Sequence, residues 1–144
     1  MNAYSALGYC KLYSGLIDGV IPLVEQAIRL SPRDPLMGLF YFTIGEAHLL
    51  QSRTDEAIVW FERARNHTPA HSEYRAWLGA AYALNGKIER AATELAEARK
   101  LSAVDRFSSL ARLKALGYFG VPKVRAVFEA TYLRGLRLAG MPEE

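Results

Sequence analysis

Two histidines, His67 and His71, stand four residues apart, the spacing that places two imidazoles on one helical face as metal ligands. Pro69 lies between them and pushes the residue before it out of the helical region, so the pattern predicts a broken helix and two loop histidines. Carboxylates recur in pairs, Glu56 with Glu62 and Glu94 with Glu97, the residue type that proton transfer uses. The same pairs decorate any solvated helix face, and no nucleophile with a base and an orienting group accompanies them. The stretches "GLIDG" and "GYFG" lack the strand-to-helix setting and the Lys-Ser/Thr ending of a phosphate loop, and read as turns. The single cysteine, Cys10, rules out an intrachain disulfide and a multi-thiolate zinc site, and reads as a small buried apolar residue. The chain thus offers no catalytic residue, no cofactor-binding residue and no metal ligand, and is expected not to be an enzyme.

The elements that carry these residues come next. A chain of 144 residues with 51% hydrophobic and 23% charged content suits one domain with one substantial core. Eighteen basic and fifteen acidic residues leave a net +3, unevenly spread: residues 1–98 carry −2 and residues 99–144 carry +5. The longest nearly apolar run, "LMGLFYFTIG", stops at Glu46, too short to cross a bilayer. The N-terminus lacks the basic flank and apolar stretch of a signal peptide, so the expected location is cytoplasmic.

Laid against itself, the chain repeats. Leu7-Gly8 aligns with Ile44-Gly45 and Leu78-Gly79, and the same two offsets align Gly15, Ser52 and Gly86. They also align Asp18, Asp55 and Glu89; Val20, Ala57 and Ala91; Val24, Phe61 and Leu95; and Ala27, Ala64 and Ala98. Apolar residues fall at i, i+3, i+4 and i+7 on both sides of each Gly15, Ser52 and Gly86 break, which predicts three helical hairpins. Thr54 is the expected cap before Asp55 and Glu56, whose charges suit the positive end of the helix dipole. Asp34 and Pro35 read as a cap followed by a proline at the first helical position, and Pro22 should delay or bend the helix it enters. The first hairpin is therefore expected to be the least stable. In "DEAIVWFERARNHTP", Ala57, Phe61 and Ala64 form the packed stripe, and Glu56, Glu62, Arg63 and Arg65 should face water. After Ser102 the repeat decays: "DRFSSLARLKAL" should begin a short helix at Asp105, and "VPKVRAVFEATYLRGLRLAG" a longer one between Pro122 and Gly140.

This pattern resembles the tetratricopeptide repeat, through Tyr41, Ile44, Gly45, Ala57, Phe61, Ala64 and Pro69 in the middle unit and Leu78, Gly79, Tyr82, Ala91, Leu95 and Ala98 in the third. It departs from that family at His48, at Ala103 and at Val20 and Val24. The resemblance implies an all-α, right-handed superhelix of three helix-turn-helix repeats, about 1–34, 38–71 and 72–103, closed by two C-terminal capping helices over 104–144. It also implies a concave groove for a peptide, a helix, a neighbouring domain or a second copy of the chain. By repeat position the groove residues are Tyr9, Leu12 and Tyr13, then Phe42, Glu46, Leu49 and Leu50, then Trp77, Ala80 and Leu84; each reads equally as core, since "LMGLFYFTIG" is apolar on nearly every side. Chaperone-binding members grip a carboxylate at positions that here hold Ser5, Tyr9, Thr43, Glu73 and Trp77, so that activity is not expected.

"AIRLSPRDP" and the ending "YLRGLRLAGMPEE" are similar to the C-terminal repeat region of bacterial class III adenylate cyclases, which implies a regulatory or scaffolding piece of a signalling protein whose catalytic domain lies upstream. The apolar flank of the first helix fits an excised fragment. The competing reading is a nucleic-acid-associated tail that uses Arg106, Arg112, Lys114, Lys123, Arg125, Arg134 and Arg137, with Tyr118 and Phe119 as a stacking pair. These cations alternate with apolar residues as on any solvated helix, which favours the protein-binding reading.

Overall fold

The computed structural model describes residues 3–117 and 119–144. It is all-helical, with no strand among the described residues. Helices α1 (Ala3–Tyr13), α2 (Val20–Leu30), α3 (Met37–Leu50), α4 (Thr54–His67), α5 (Ser72–Leu84) and α6 (Ile88–Leu101) pair in sequence order. α1 packs on α2, α3 on α4 and α5 on α6, and the pairs join through α2 against α3 and α4 against α5. α7 (Leu110–Leu116) follows, then α8 (Pro122–Phe128), a π-helical segment (Glu129–Leu133) and α9 (Arg134–Leu138).

The internal alignment survives at the level of individual bonds. Gly15, Ser52 and Gly86 all adopt left-handed backbone, with φ of 86°, 63° and 79°. Across each turn one backbone N–H reaches back five residues at 2.9 Å, from Leu16 to the Lys11 carbonyl, from Arg53 to His48 and from Lys87 to Tyr82. That bond satisfies a carbonyl which a helix end leaves open. Beyond the turn, Val20, Ala57 and Ala91, then Val24, Phe61 and Leu95, then Ala27, Ala64 and Ala98 are all buried. The helices of each pair cross at a glycine. A Cβ on Gly8 would stand 3.0 Å from Val24 Cγ2, one on Gly45 2.5 Å from the Phe61 ring, and one on Gly79 3.2 Å from the Ala91 carbonyl oxygen.

Local expectations were met unevenly. A 3-10 turn (Ile17–Gly19) occupies the place where α4 and α6 begin their first turns, so α2 starts late, with Pro22 at its third residue, where a missing N–H is harmless. Thr54 is the first residue of α4 and makes no capping bond. α3 begins at Met37, not at Pro35, because Asp34 Oδ1 accepts from the Leu36 amide at 2.8 Å and closes a turn ahead of the helix. Cys10 is exposed, not buried, on the same helix as the exposed Tyr4 and Leu7. α7 begins at Leu110, not at Asp105, because Ser109 Oγ caps it through the Arg112 amide at 3.1 Å. The segment before it turns at Asp105 and is pinned by buried Phe107, whose carbonyl accepts from Arg99 Nε at 3.0 Å. α4 ends at His67 and α5 begins after His71, so the helix does break at Pro69.

The long C-terminal helix determines the architecture. Residues 122–138, the C-terminal arm, do not extend the array beyond α6. They turn back across its inner face, packing mainly on α5 and also on α3 through the π segment. The turn is made at Gly120, with φ of 80°, and the Val121 amide donates to the Tyr13 carbonyl at 3.3 Å.

Candidate functional site

The inner face is built from α1, α3 and α5, and the arm lies on it through rings and one glycine. Trp77 on α5 stacks flat on Tyr132, centroids 3.8 Å apart and planes 3° apart, and meets Phe128 edge-on at 5.8 Å. Tyr13 on α1 stacks on Phe128 at 5.7 Å, and Phe42 on α3 closes on Trp77 at 5.7 Å. One turn further along, Gly135 sits on Ala80 so closely that a Cβ would stand 2.5 Å from the Ala80 carbonyl oxygen. Phe128, Tyr132 and Gly135 thus form the face that the arm turns inward.

The ten residues expected to line an open groove fall into two groups. Leu12, Phe42, Glu46, Leu49, Leu50, Trp77 and Ala80 are buried within the chain. For Trp77 and Ala80 the cover is the arm itself. Tyr9 remains 44% exposed, and Tyr13 and Leu84 are half-buried. The inner face therefore carries a helix, and that helix belongs to the same polypeptide.

Between this floor and the C-terminal elements a cavity of about 220 Å³ remains. Tyr9, Tyr13, Glu73 and Trp77 wall it from the hairpin side, and Arg106, Phe119 and Tyr132 from the other. Arg106 pairs with Glu73 across it, while the Arg106 Nε is buried without a partner. Glu46 on α3, which does not line this cavity, is 1% exposed, and neither of its oxygens has a hydrogen-bond partner. Burial first, then the charge of Glu73, pushes its carboxyl well above the ordinary range. The Tyr13 hydroxyl favours the charged form by less and closes no hydrogen bond of good geometry to either oxygen. Burial and then Glu46 raise Tyr74 to about 12, and desolvation raises Tyr9, Tyr13 and Tyr132 as well.

A second polar cluster joins α4, α5 and α6, at the faces expected to be solvated. Glu94 is buried, accepting from Arg65 at 2.6 Å and Arg75 at 3.2 Å, and Tyr82 donates its hydroxyl to Glu62 at 2.7 Å. Arg65 and Glu62 thus tie α4 to α5 and α6 instead of facing water. The signal was present in the sequence: Glu94 lies three residues after Ala91 and four before Ala98, on the packed stripe itself. Phe128, Tyr132 and Gly135 likewise stand at i, i+4 and i+7.

The basic tail is mostly spent internally. Arg112 pairs with Asp105 at 2.8 Å, Lys114 and Arg137 pair with Glu129 at 3.4 and 2.5 Å, and Arg125 Nε donates to the Gly120 carbonyl at 2.9 Å. Phe119 packs edge-on against Phe128, and Tyr118 lies outside the described residues. Of the two spaced histidines, His71 stacks on Tyr74 at 3.8 Å and His67 contacts Thr68 Oγ1 at 3.0 Å. Among the described residues no group of three or more His, Cys, Asp or Glu is placed to hold a metal ion, and no helix is long and apolar enough to cross a membrane. No family model matches the chain, and no curated protein matches it.

Proposed function

We propose that the chain is a non-catalytic helical-repeat module of the tetratricopeptide kind that works by holding polypeptide segments on its inner face. The observation that carries this reading is the arm: the face made by α1, α3 and α5 receives a helix, reading it through stacked rings and one close backbone approach. Three hairpins with the same turn bond and the same glycine crossing support the repeat assignment. In this reading residues 1–103 form the repeats and 104–144 the closing segment of one domain. The phrases "AIRLSPRDP" and "YLRGLRLAGMPEE" support a bacterial signalling parent of the adenylate cyclase type, with catalysis upstream and regulation or assembly here.

Weighing the chain in solution and mixing it with the domains encoded beside it tests the proposal. Self-association or binding to a neighbouring domain is the expected result. A monomer with affinity for neither sinks it. A cyclase domain encoded immediately upstream would support the parent assignment.

A further inference from the structure

We infer that copies of this chain stack head to tail, α6 of one seated on α1 of the next, so that the array of hairpins continues from molecule to molecule. The contact uses the two outer edges of the array. It goes beyond the inner-face role and does not depend on it.

The α1 edge shows what kind of occupant it takes. Ala3, Leu7 and Cys10 lie on one face of α1 and align with Phe40, Ile44 and Ala47 on α3, and with Tyr74, Leu78 and Ala81 on α5. The residues on α3 and α5 are all buried, whereas those on α1 are exposed, Leu7 by 48%. Each of the three helices packs on the second helix of its own hairpin. What α3 and α5 have in addition is the second helix of the hairpin before, α2 for α3 and α4 for α5. The bare face of α1 is therefore shaped for a second helix of the same kind. It is also uncharged, since the first charged side chain of the sequence is Lys11.

The opposite edge supplies such a helix. α6 is the second helix of the third hairpin, and its main packing partner among the described residues is α5. On α4, Ile58 and Arg65 share the face turned toward the following hairpin: Ile58 is buried, and Arg65 donates to Glu94 on α6. The same register on α6 falls at Ala92 and Arg99. Arg99 is held by the Phe107 carbonyl, so the open part is the N-terminal half, where Ile88 is 47% exposed and Ala92 and Ala96 are exposed with it. These side chains carry no charge and offer Leu7 an apolar surface.

Seating α6 on α1 repeats a junction that the chain already makes twice, α2 on α3 and α4 on α5. A symmetric pairing of two α1 helices would cover one edge and leave Ile88 and Ala92 bare. The head-to-tail contact covers both edges, and because its two faces differ it can grow past two copies. One helix on one helix is a small contact, so assembly belongs to high protein concentration.

Sedimentation of the full chain from about 1 μM to about 1 mM should show a mass that rises past the dimer. Leu7→Glu spoils the α1 edge and Ala92→Glu the α6 edge; both positions are exposed, so both variants should fold and melt with the parent. Either variant alone should associate at least roughly tenfold more weakly than the parent, since the contact would bury an unpaired carboxylate. Mixed one to one, the intact α6 of the Leu7→Glu chain meets the intact α1 of the Ala92→Glu chain, and the mixture should form dimers and nothing larger. A parent chain that stays monomeric, a mixture without dimers, or an Ala92→Glu chain that assembles like the parent overturns the inference. Self-association that survives both substitutions also overturns it and assigns that association to the inner face, so the two readings fail separately.

Discussion

The seams inside the three hairpins and the interface beneath the C-terminal arm are both buried, but they solve different problems. Each seam places a glycine against a side chain or carbonyl of the second helix and follows it with buried alanines, one arrangement used three times. The arm interface is used once and is irregular: stacked rings, a cavity, and the unpartnered polar atoms of Glu46 and Arg106. Repetition of a dry seam produces an array whose stability comes from close packing. A floor that keeps an unsatisfied acid gives up stability at one place, and such places are where local design rules yield to function.

Changes of graded severity separate the two. Phe61→Ala empties a fully buried ring site opposite Gly45 and should cost about 3–5 kcal/mol in global unfolding by denaturant, the largest effect expected. Gly135→Ala drives a methyl against the Ala80 carbonyl, which is backbone and has little room to yield, and should cost about 2–3 kcal/mol. Hydrogen exchange should locate that loss in residues 122–138 while the α3–α6 amides stay protected. Equal loss across both regions would mean that the arm and array are one cooperative unit. Glu94→Gln weakens the acceptor shared by Arg65 and Arg75 and should destabilise by about 1–2 kcal/mol in the melt, less at high salt.

Glu46→Gln tests the arm side in the opposite direction. Native Glu46 retains its proton to higher pH than it does in the unfolded chain, where the value is near 4.5. Its contribution is thus fully present below about pH 4.5 and is lost as the pH rises through the native value. The variant should be more stable than the parent at pH 7 and indistinguishable at pH 4, as read from paired melts. Lys100→Ala removes an exposed 3.4 Å pair with Glu97 and should change stability by less than about 0.5 kcal/mol, the control for both regions.

The hairpins were legible because their determinants are local and repeated. Gly15, Ser52 and Gly86 mark the turns, and Ala27, Ala64 and Ala98 mark the seam, at spacings that periodicity exposes. The five-residue delay of α7 was not read, because Asp105 and Ser109 both qualify as caps and the choice fell to the tertiary anchor Phe107. The burial of Glu94 was missed for a related reason: charge alone suggests a solvated face, and only its place on the stripe argues otherwise. The open groove was expected because repeat position says which residues share a face but not what covers it. The covering helix is joined through Gly117–Gly120, beyond the repeat, so no internal register fixes its direction.

The π segment of the arm has one more consequence. A wide turn takes up one residue more than a regular helical turn. A deletion of one residue between Phe128 and Gly135 should therefore let that turn relax to regular helix and keep Phe128 and Gly135 on one face, whereas the same deletion within Pro122–Phe128, which is regular helix, swings the residues before it by about 100° relative to Gly135. The arm carries its own slack, and length variation is tolerated at that one place.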